Sequence, residues 1–419
     1  MEADSSRKEI FMENRKCDIH ISRNIARLRR KMGLTQTELA DRLYVSNKTV
    51  SKWERGAGYP ETPQLLRLAD LFGVSLDTLI RGEKSGIAVA GNILTDEVKI
   101  IESFPEKGML VNITAMSRAV GGSVPNTLIS LARIDPTLPL SALGKRGADE
   151  GGRYAQSELQ RCGVDTSGIL VDPTSPTGFS DVMTLRDTGE RTFFHNRGAN
   201  AKFVPEDVKL TTLSCRMLHV AYIHLLDGFD APDSEYGTTL ARFLKSAQEA
   251  GFLTSIDVVS SLGEQFAERV IAALPYTDNA IMNEIEACGV SGLAPRDGEG
   301  KLITENIRAT MEMLMSHGVG QRVIVHCPEA GFCLSRDGDF TVVPSLKLPA
   351  GYIKGTVGAG DSFAAGSLYG IYNGFTDAEI LEFASGAAAC NLAAEDSVSG
   401  MRDAGYIREL IGMYGKGSL

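Results

Sequence analysis

Residues 355–363 read GTVGAGDSF, with three glycines and Ala359 leading into Asp361. Gly358, Ala359 and Gly360 carry almost no side chain, so their N–H groups can approach an anion closely. The helical text that follows, DSFAAGSLYGIYNG, brings the partial positive charge of a helix N-terminus to the same place. Asp361 then falls in the first turn, beside whatever anion the loop holds. A carboxylate base next to an anion cradle suits phosphoryl transfer to an alcohol, which depends mainly on positioning and charge neutralisation. Taken alone, the same text also suits a plain helix start with small residues packed behind it.

Other polar residues sit in comparable settings. AVGGSVPNTLISLARI places Gly121 and Gly122 before a helix with Asn126 in its first turn, and GNILTD carries Asp96 five residues after Gly91. Carboxylate and amide side chains are good partners for hydroxyl groups. Asn283 and Glu286, in NEIE, read by themselves as a helix start with an exposed acidic face. His219 and His224 flank apolar residues and read as structural. His326 reads as a packed histidine, and His195 lies in a strand-like segment where it would reach a substrate. Asp257 ends the strand-like TSID, either near the site or capping the next helix.

These residues need a scaffold. Apolar runs such as IAVAG, TLPLSALG, MLHVAYIHL, GFLTSIDV, DNAIMN and QRVIVHC read as buried strands, separated by helical stretches such as SVPNTLISLARI and NIRATMEMLMSHG. That alternation predicts an α/β domain over residues 86–412, doubly wound around a mostly parallel sheet, with ligands at the carboxyl ends of its strands. TGFSDVMTLRDTGERTFFHN breaks the pattern and reads as a hairpin. With VKIIESF and MLVNITAMSRAV it predicts a small β-sheet lid, its strands at about residues 96–120 and 177–197.

The N-terminal text differs. After an extension over residues 1–20, residues 21–83 read as an all-α domain. Leu28, Met32, Leu39, Ala40, Leu43, Val50 and Trp53 have the spacing of amphipathic helices around one core. Thr35 caps a helix with Glu38 three residues on, a capping box, and Ser46 caps the next. TQTELADRL, VSNKTVSKWERG and LLRLADLFGVSLDTLI together resemble the Cro/repressor-type helix-turn-helix family over residues 21–81. The resemblance implies that the second helix of the pair enters the major groove of double-stranded DNA, so that Asn47, Lys48 and Lys52 reach base edges or phosphates while Gln36 touches the backbone. It also implies a homodimer, since one such domain binds a half-site weakly. Arg27, Arg29, Arg30 and Lys31 would neutralise phosphates. A helical bundle used for protein contacts is the alternative.

Composition agrees with a soluble, reducing setting. The chain has 419 residues and a net charge of −10. Residues 1–83 hold 15 lysines and arginines against 12 acids, and the remainder 28 against 41, so a mildly basic head precedes an acidic body. The seven cysteines form no CxxC pair, which argues against disulfides and zinc and points to the cytoplasm. No apolar run reaches the roughly 18 residues of a transmembrane helix.

The glycine motifs, taken in order, resemble the ribokinase-like (PfkB-type) carbohydrate kinase family. The resemblance implies an ATP-dependent kinase acting on a sugar hydroxyl. Asp361 would be the base and Gly358, Ala359 and Gly360 the anion hole. Asp96, Gly121, Gly122 and Asn126 would bind the sugar, while Asn283 and Glu286 would help hold Mg²⁺ and the ATP phosphates. Two departures stand out. Gly355 stands where the family loop commonly begins with an aspartate, in a region that helps bind a monovalent cation, which weighs against K⁺ activation. His326, Cys327 and Pro328 stand where the family has Thr-Leu-Gly near the nucleotide. The alternatives are a sugar-sensing transcription regulator with a non-catalytic kinase fold, or a nucleoside kinase.

Overall fold

In the computed structural model, which describes residues 20–259, 263 and 265–417, the chain divides into two units. One runs as far as Ser85 and takes in Thr211–Ser214; the other comprises Gly86–Leu210 and the chain from Cys215 onward. Of the extension expected over residues 1–20, only His20 is among the described residues.

The first unit has helices α1 (Ile21–Lys31), α2 (Gln36–Leu43), α3 (Asn47–Glu54), α4 (Thr62–Phe72) and α5 (Leu76–Arg81). Thr35 accepts from the Glu38 N–H at 3.2 Å, and its own N–H donates to Glu38 Oε2 at 2.7 Å, so both ends of the capping box close. Ser46 caps α3 through the Thr49 N–H at 3.1 Å. Between the two helices Tyr44 takes a left-handed φ of 57°, which lets α2 stop and α3 start at an angle. Ile25, Leu28, Leu39, Leu43, Val50 and Trp53 are buried together. Met32, expected among them, is 44% exposed, because it lies at the C-cap of α1, past the last turn that faces the core.

The second unit begins with β1 (Ile87–Ala90), β2 (Leu94–Ile101), β3 (Ile113–Gly121), α6 (Ser123–Ile134), β4 (Leu140–Gly147), α7 (Glu150–Arg161) and β5 (Asp165–Asp172). There follow β6 (Gly178–Leu185), β7 (Arg191–Asn196), β8 (Met217–Ile223), the two-residue strands β9 (Pro232–Asp233) and β10 (Gly237–Thr238), α8 (Thr239–Glu249) and β11 (Leu253–Val258). Then come α9 (Phe266–Ala273), β12 (Asn279–Asn283), α10 (Glu284–Ser291), α11 (Thr304–Ser316), β13 (Arg322–His326), β14 (Ala330–Ser335) and β15 (Phe340–Pro344). Helices α12 (Ala359–Asn373), α13 (Asp377–Leu392) and α14 (Ala404–Met413) close the chain.

The central sheet has nine strands in the order β15-β14-β13-β12-β11-β8-β1-β4-β5. All its pairings from β13 to β5 are parallel, and β14 and β15 add an antiparallel edge. Every residue of β1 is buried, and nearly every residue of β8, β11 and β12, as expected where helices cover both faces. A second sheet, β3-β2-β6-β7, is amphipathic: β6 alternates buried and half-buried residues while most of β3 and β7 is exposed. The lid hairpin, its partners and the alternating sheet therefore take the forms their patterns predict.

Candidate active site

Gly358 caps α12 at φ 75°, and a Cβ there would lie 2.5 Å from the Ser397 carbonyl oxygen. Only glycine fits that approach, and it turns the chain so that Ala359, Gly360 and Asp361 begin the helix. Asp361 is buried. Asn126 Nδ2 donates to its Oδ2 at 2.9 Å, and the Tyr222 hydroxyl stands 3.0 Å from both its oxygens. Burial, with the Asp257 and Glu286 carboxylates facing it, raises Asp361 to about 7 against the help of these two donors. A carboxyl so poised is matched to general-base work near neutral pH.

Asp257 lies near the end of β11 and Glu286 in the first turn of α10. Both line a cavity of about 210 Å³ together with Asn283, Gly358, Gly360 and Asp361. Asn283 and Glu286 close a reciprocal cap on α10, with Asn283 N–H to Glu286 Oε2 at 2.9 Å and Glu286 N–H to Asn283 Oδ1 at 2.8 Å. Glu284 and Glu286 are buried, so the exposed acidic face that NEIE suggests by itself is absent. The carboxylates converging here suit a hard divalent cation. Among the described residues no group of three or more His, Cys, Asp or Glu is arranged to hold a metal directly. Mg²⁺ would therefore be held by phosphate and water as much as by Asn283 and Glu286.

A larger cavity, about 560 Å³, shares Asn283, His326 and Gly360 with the first. Ile285, Leu346, Leu348, Ile353 and Leu392 make its wall apolar, which suits a flat heterocycle. The departures at residues 326–328 line it. His326 stacks on Phe363 with ring centroids 4.5 Å apart, and burial pushes its imidazole down to about 4, so it is a neutral packed wall.

The residues expected to bind sugar separate into two places. Gly121 ends β3 against the Asp96 carboxylate, which leaves no room there for a side chain, and Gly122 at φ 89° would put a Cβ 2.6 Å from the Asn92 carbonyl. Burial raises Asp96 to about 6, and the Ser180 hydroxyl bonds to it. His195, itself on lid strand β7, lies 3.1 Å from Ser180 and so reaches Asp96 through that hydroxyl. Asn126 lines neither cavity. Its amide bonds Asp361 and accepts from Ser397 Oγ at 2.9 Å, which orients the Asp361 carboxylate. Three contributors were not legible as such. Tyr222 and Ser397 are reached only through tertiary contacts, and Asp257 is placed at the site by its bonds to Tyr222 and His219 and not by a helix cap. His219 is structural, bonded to Ser255 at 2.9 Å and Asp257 at 3.3 Å.

In the first unit, Asn47, Lys48 and Lys52 stand on α3. The Asn47 amide donates to Thr37 at 2.6 Å. Gln36, expected on the DNA backbone, donates its amide to Glu54 at 2.7 Å. Glu54 also pairs with Arg29 at 2.6 Å, with both side chains largely buried. Arg29 thus ties α1 to α3, while Arg27 and Lys31 are paired with Glu83.

Comparison with known proteins gives these arrangements a context. Residues 84–403 match the family model for pfkB family carbohydrate kinases, and residues 25–79 match a helix-turn-helix model. The chain is 26% identical over 315 residues to an ATP-dependent ribose-1-phosphate kinase of Halopiger xanaduensis, covering 74% of this chain and 93% of that one. The N-terminal part is 39% identical over 66 residues to the HTH-type transcriptional activator BcrR of Enterococcus faecalis, covering 16% of this chain and 32% of that one. In fold, it superposes on an Arabidopsis thaliana ribokinase complexed with ribose and ATP, with a TM-score of 0.65 at 21% identity over 78% of this chain and 98% of that one. With the match spanning most of its length, this chain belongs to the pfkB family of carbohydrate kinases and carries a helix-turn-helix domain ahead of the kinase domain.

Proposed function

We propose that the protein transfers the γ-phosphate of ATP to a hydroxyl of a sugar, and that its N-terminal domain binds DNA as a dimer so that sugar metabolism and transcription are linked. The single observation that carries the kinase reading is Asp361 at the start of α12, raised to about 7 and set beside the Gly358–Gly360 N-terminus on the wall of the smaller cavity. In this reading ATP lies with its base in the apolar cavity and its phosphates at Gly360, where the two cavities meet. Asp361 takes the proton of the attacking hydroxyl, and Asn126 holds the carboxylate in place. Mg²⁺, when bound, neutralises the phosphates. Asp96 and the glycine pair beside it would fix the sugar hydroxyls under the lid.

Gly355 supports an enzyme without a K⁺ requirement. A Cβ there would lie 2.8 Å from the Ala394 carbonyl, so an aspartate does not fit. Cytoplasmic residence is supported by the free thiols of Cys162, Cys215, Cys288, Cys327, Cys333 and Cys390. Among the described residues no helix is long and apolar enough to cross a membrane.

The test is ATP turnover against pentoses, sugar phosphates, hexoses, sugar acids and nucleosides, in K⁺ and in Na⁺ buffers, with Asp361→Asn alongside. Substrate-dependent ADP release that falls by at least ~10² in the variant supports the reading. One observation favours the non-catalytic sensor: the Tyr222 hydroxyl lies on the base. Sugar binding without turnover on any acceptor, in wild type and variants alike, would select it.

A further inference from the structure

We propose that Tyr222 gates the base: its hydroxyl stands against Asp361 where the attacking hydroxyl of the acceptor must stand, and it withholds the base from water until an acceptor displaces it. This rests on the phosphotransfer reading above.

The backbone is built to put the hydroxyl there. Tyr222 has φ 63°, a left-handed conformation that costs a side-chain-bearing residue about 1–2 kcal/mol on ordinary grounds. The pairing of β8 with β11 shifts at this point: Ile256 lies opposite Val220, but Val258 lies opposite Ile223, so two residues of β8 face one of β11. Such a bulge re-aims a side chain at the end of a strand. The Tyr222 N–H is then clamped by Asp257 Oδ1 at 2.6 Å, and the other Asp257 oxygen is held by His219 at 3.3 Å. Strain, bulge and clamp converge on one result, a phenol hydroxyl 3.0 Å from both oxygens of Asp361 and on the wall of the cavity that holds Gly358 and Gly360. Strain that persists at a site is held there by its surroundings and points to a role.

An alcohol on the base is what the reaction needs, and Tyr222 supplies a stand-in. Burial and the facing carboxylates push its phenol well above the ordinary tyrosine value, so it stays protonated and donates. An acceptor hydroxyl must replace that donor to be activated. A water molecule offers fewer contacts than a sugar and displaces it less readily. The reaction being suppressed is hydrolysis, in which Asp361 takes a proton from water, the water oxygen bonds to the γ-phosphorus, the bond to the bridging oxygen of the β-phosphate breaks, and ADP and phosphate leave.

Tyr222→Phe removes the hydroxyl and leaves room of about one water beside Asp361. With Mg-ATP as the sole ligand, hydrolysis is expected to rise about tenfold in this variant, the scale of one lost hydrogen bond to a charged group. The gain should vanish when Asp361→Asn is added. For any sugar the wild type accepts, KM should fall by a similar factor. Tyr222→Gly, which suits the left-handed φ, should raise hydrolysis further and guards against a Phe variant that fails to fold. Hydrolysis no faster than wild type in both folded variants overturns the gate. If the wild type phosphorylates a sugar and that result is obtained, the gate falls and the kinase stands. If hydrolysis rises but no sugar is phosphorylated by any version, the gate stands and the sugar-kinase reading falls.

Discussion

Asp361 sits among like charges, and its raised carboxyl sets expectations for rate and for stability. The groups facing it are Asp257 at the end of β11, Glu286 at the start of α10, the Tyr222 phenol and the Asn126 amide, with the neutral His326 ring beside Gly360. Because the base must be ionised, kcat/KM for the acceptor is expected to fall about tenfold per unit as pH drops below about 7, and to level off above it. The stability consequence has the opposite sense. The folded value of about 7 lies above the ordinary 3.8, so the fold favours the protonated form. That contribution is complete below the unfolded value and is lost as pH rises through 7, at about 1.4 kcal/mol per unit. Without nucleotide or Mg²⁺, Asp361→Asn is therefore expected to melt higher than wild type at pH 8, with the gap closing toward pH 4. Calorimetry at the two pH values decides it, and a variant that melts lower at pH 8 would contradict the assigned repulsion.

Helix α12 delivers Asp361, the proposed base, only because Gly358 lets it start where it does. Gly358→Ala must place a methyl group 2.5 Å from the Ser397 carbonyl at φ 75°, so the loop has to move. Displacing the N–H groups proposed to hold the transferred phosphate is expected to lower kcat by about 10²–10³ while far-ultraviolet circular dichroism stays that of a folded chain. A variant with wild-type kcat would show that the loop does not form the cradle. This element was legible in the text because its requirements are local: small residues, a helix start and an acid in the first turn lie within nine letters. The Thr35–Glu38 box was legible for the same reason, since its partners are three residues apart. Tyr222 was not. Its role comes from a bulge against a strand that begins thirty-one residues later (Leu253) and from a helix that begins well over a hundred residues away, and no periodicity records either. The Gln36–Glu54 bond was not legible for a similar reason, because Glu54 lies eighteen residues on and is itself held by Arg29. The strand pattern shows which runs are buried but not their order, so the antiparallel edge β14-β15 appears only in the fold.

At the scale of the whole molecule, a head with an excess of basic residues precedes an acidic body in one chain. In the head, Lys48 and Lys52 lie on α3, whereas Arg29, Arg27 and Lys31 are engaged with Glu54 and Glu83. Lys48→Ala and Lys52→Ala are each expected to lower DNA affinity at all sequences and to reduce the slope of log affinity against log salt by about 1, as the loss of one phosphate contact does. Fluorescence anisotropy across a salt series reads both, and an unchanged slope would place these lysines off the backbone. The linkage between the units is testable without knowing how it is transmitted. If occupancy of the kinase site by sugar and ATP changes affinity for DNA by some factor, DNA must change affinity for those ligands by the same factor, because the two measure one coupling free energy. Couplings of this kind are typically about 1–3 kcal/mol, or roughly 5–150-fold. A regulatory role predicts such a factor in both directions, with DNA titrated against protein plus ligand and ligand titrated against protein plus DNA, using Asp361→Asn to prevent turnover during the experiment. Equal affinities in each pair of titrations would mean that the chain joins two independent activities, and the transcriptional half of the proposed function would then have to rest on the amount of protein present and not on its ligands.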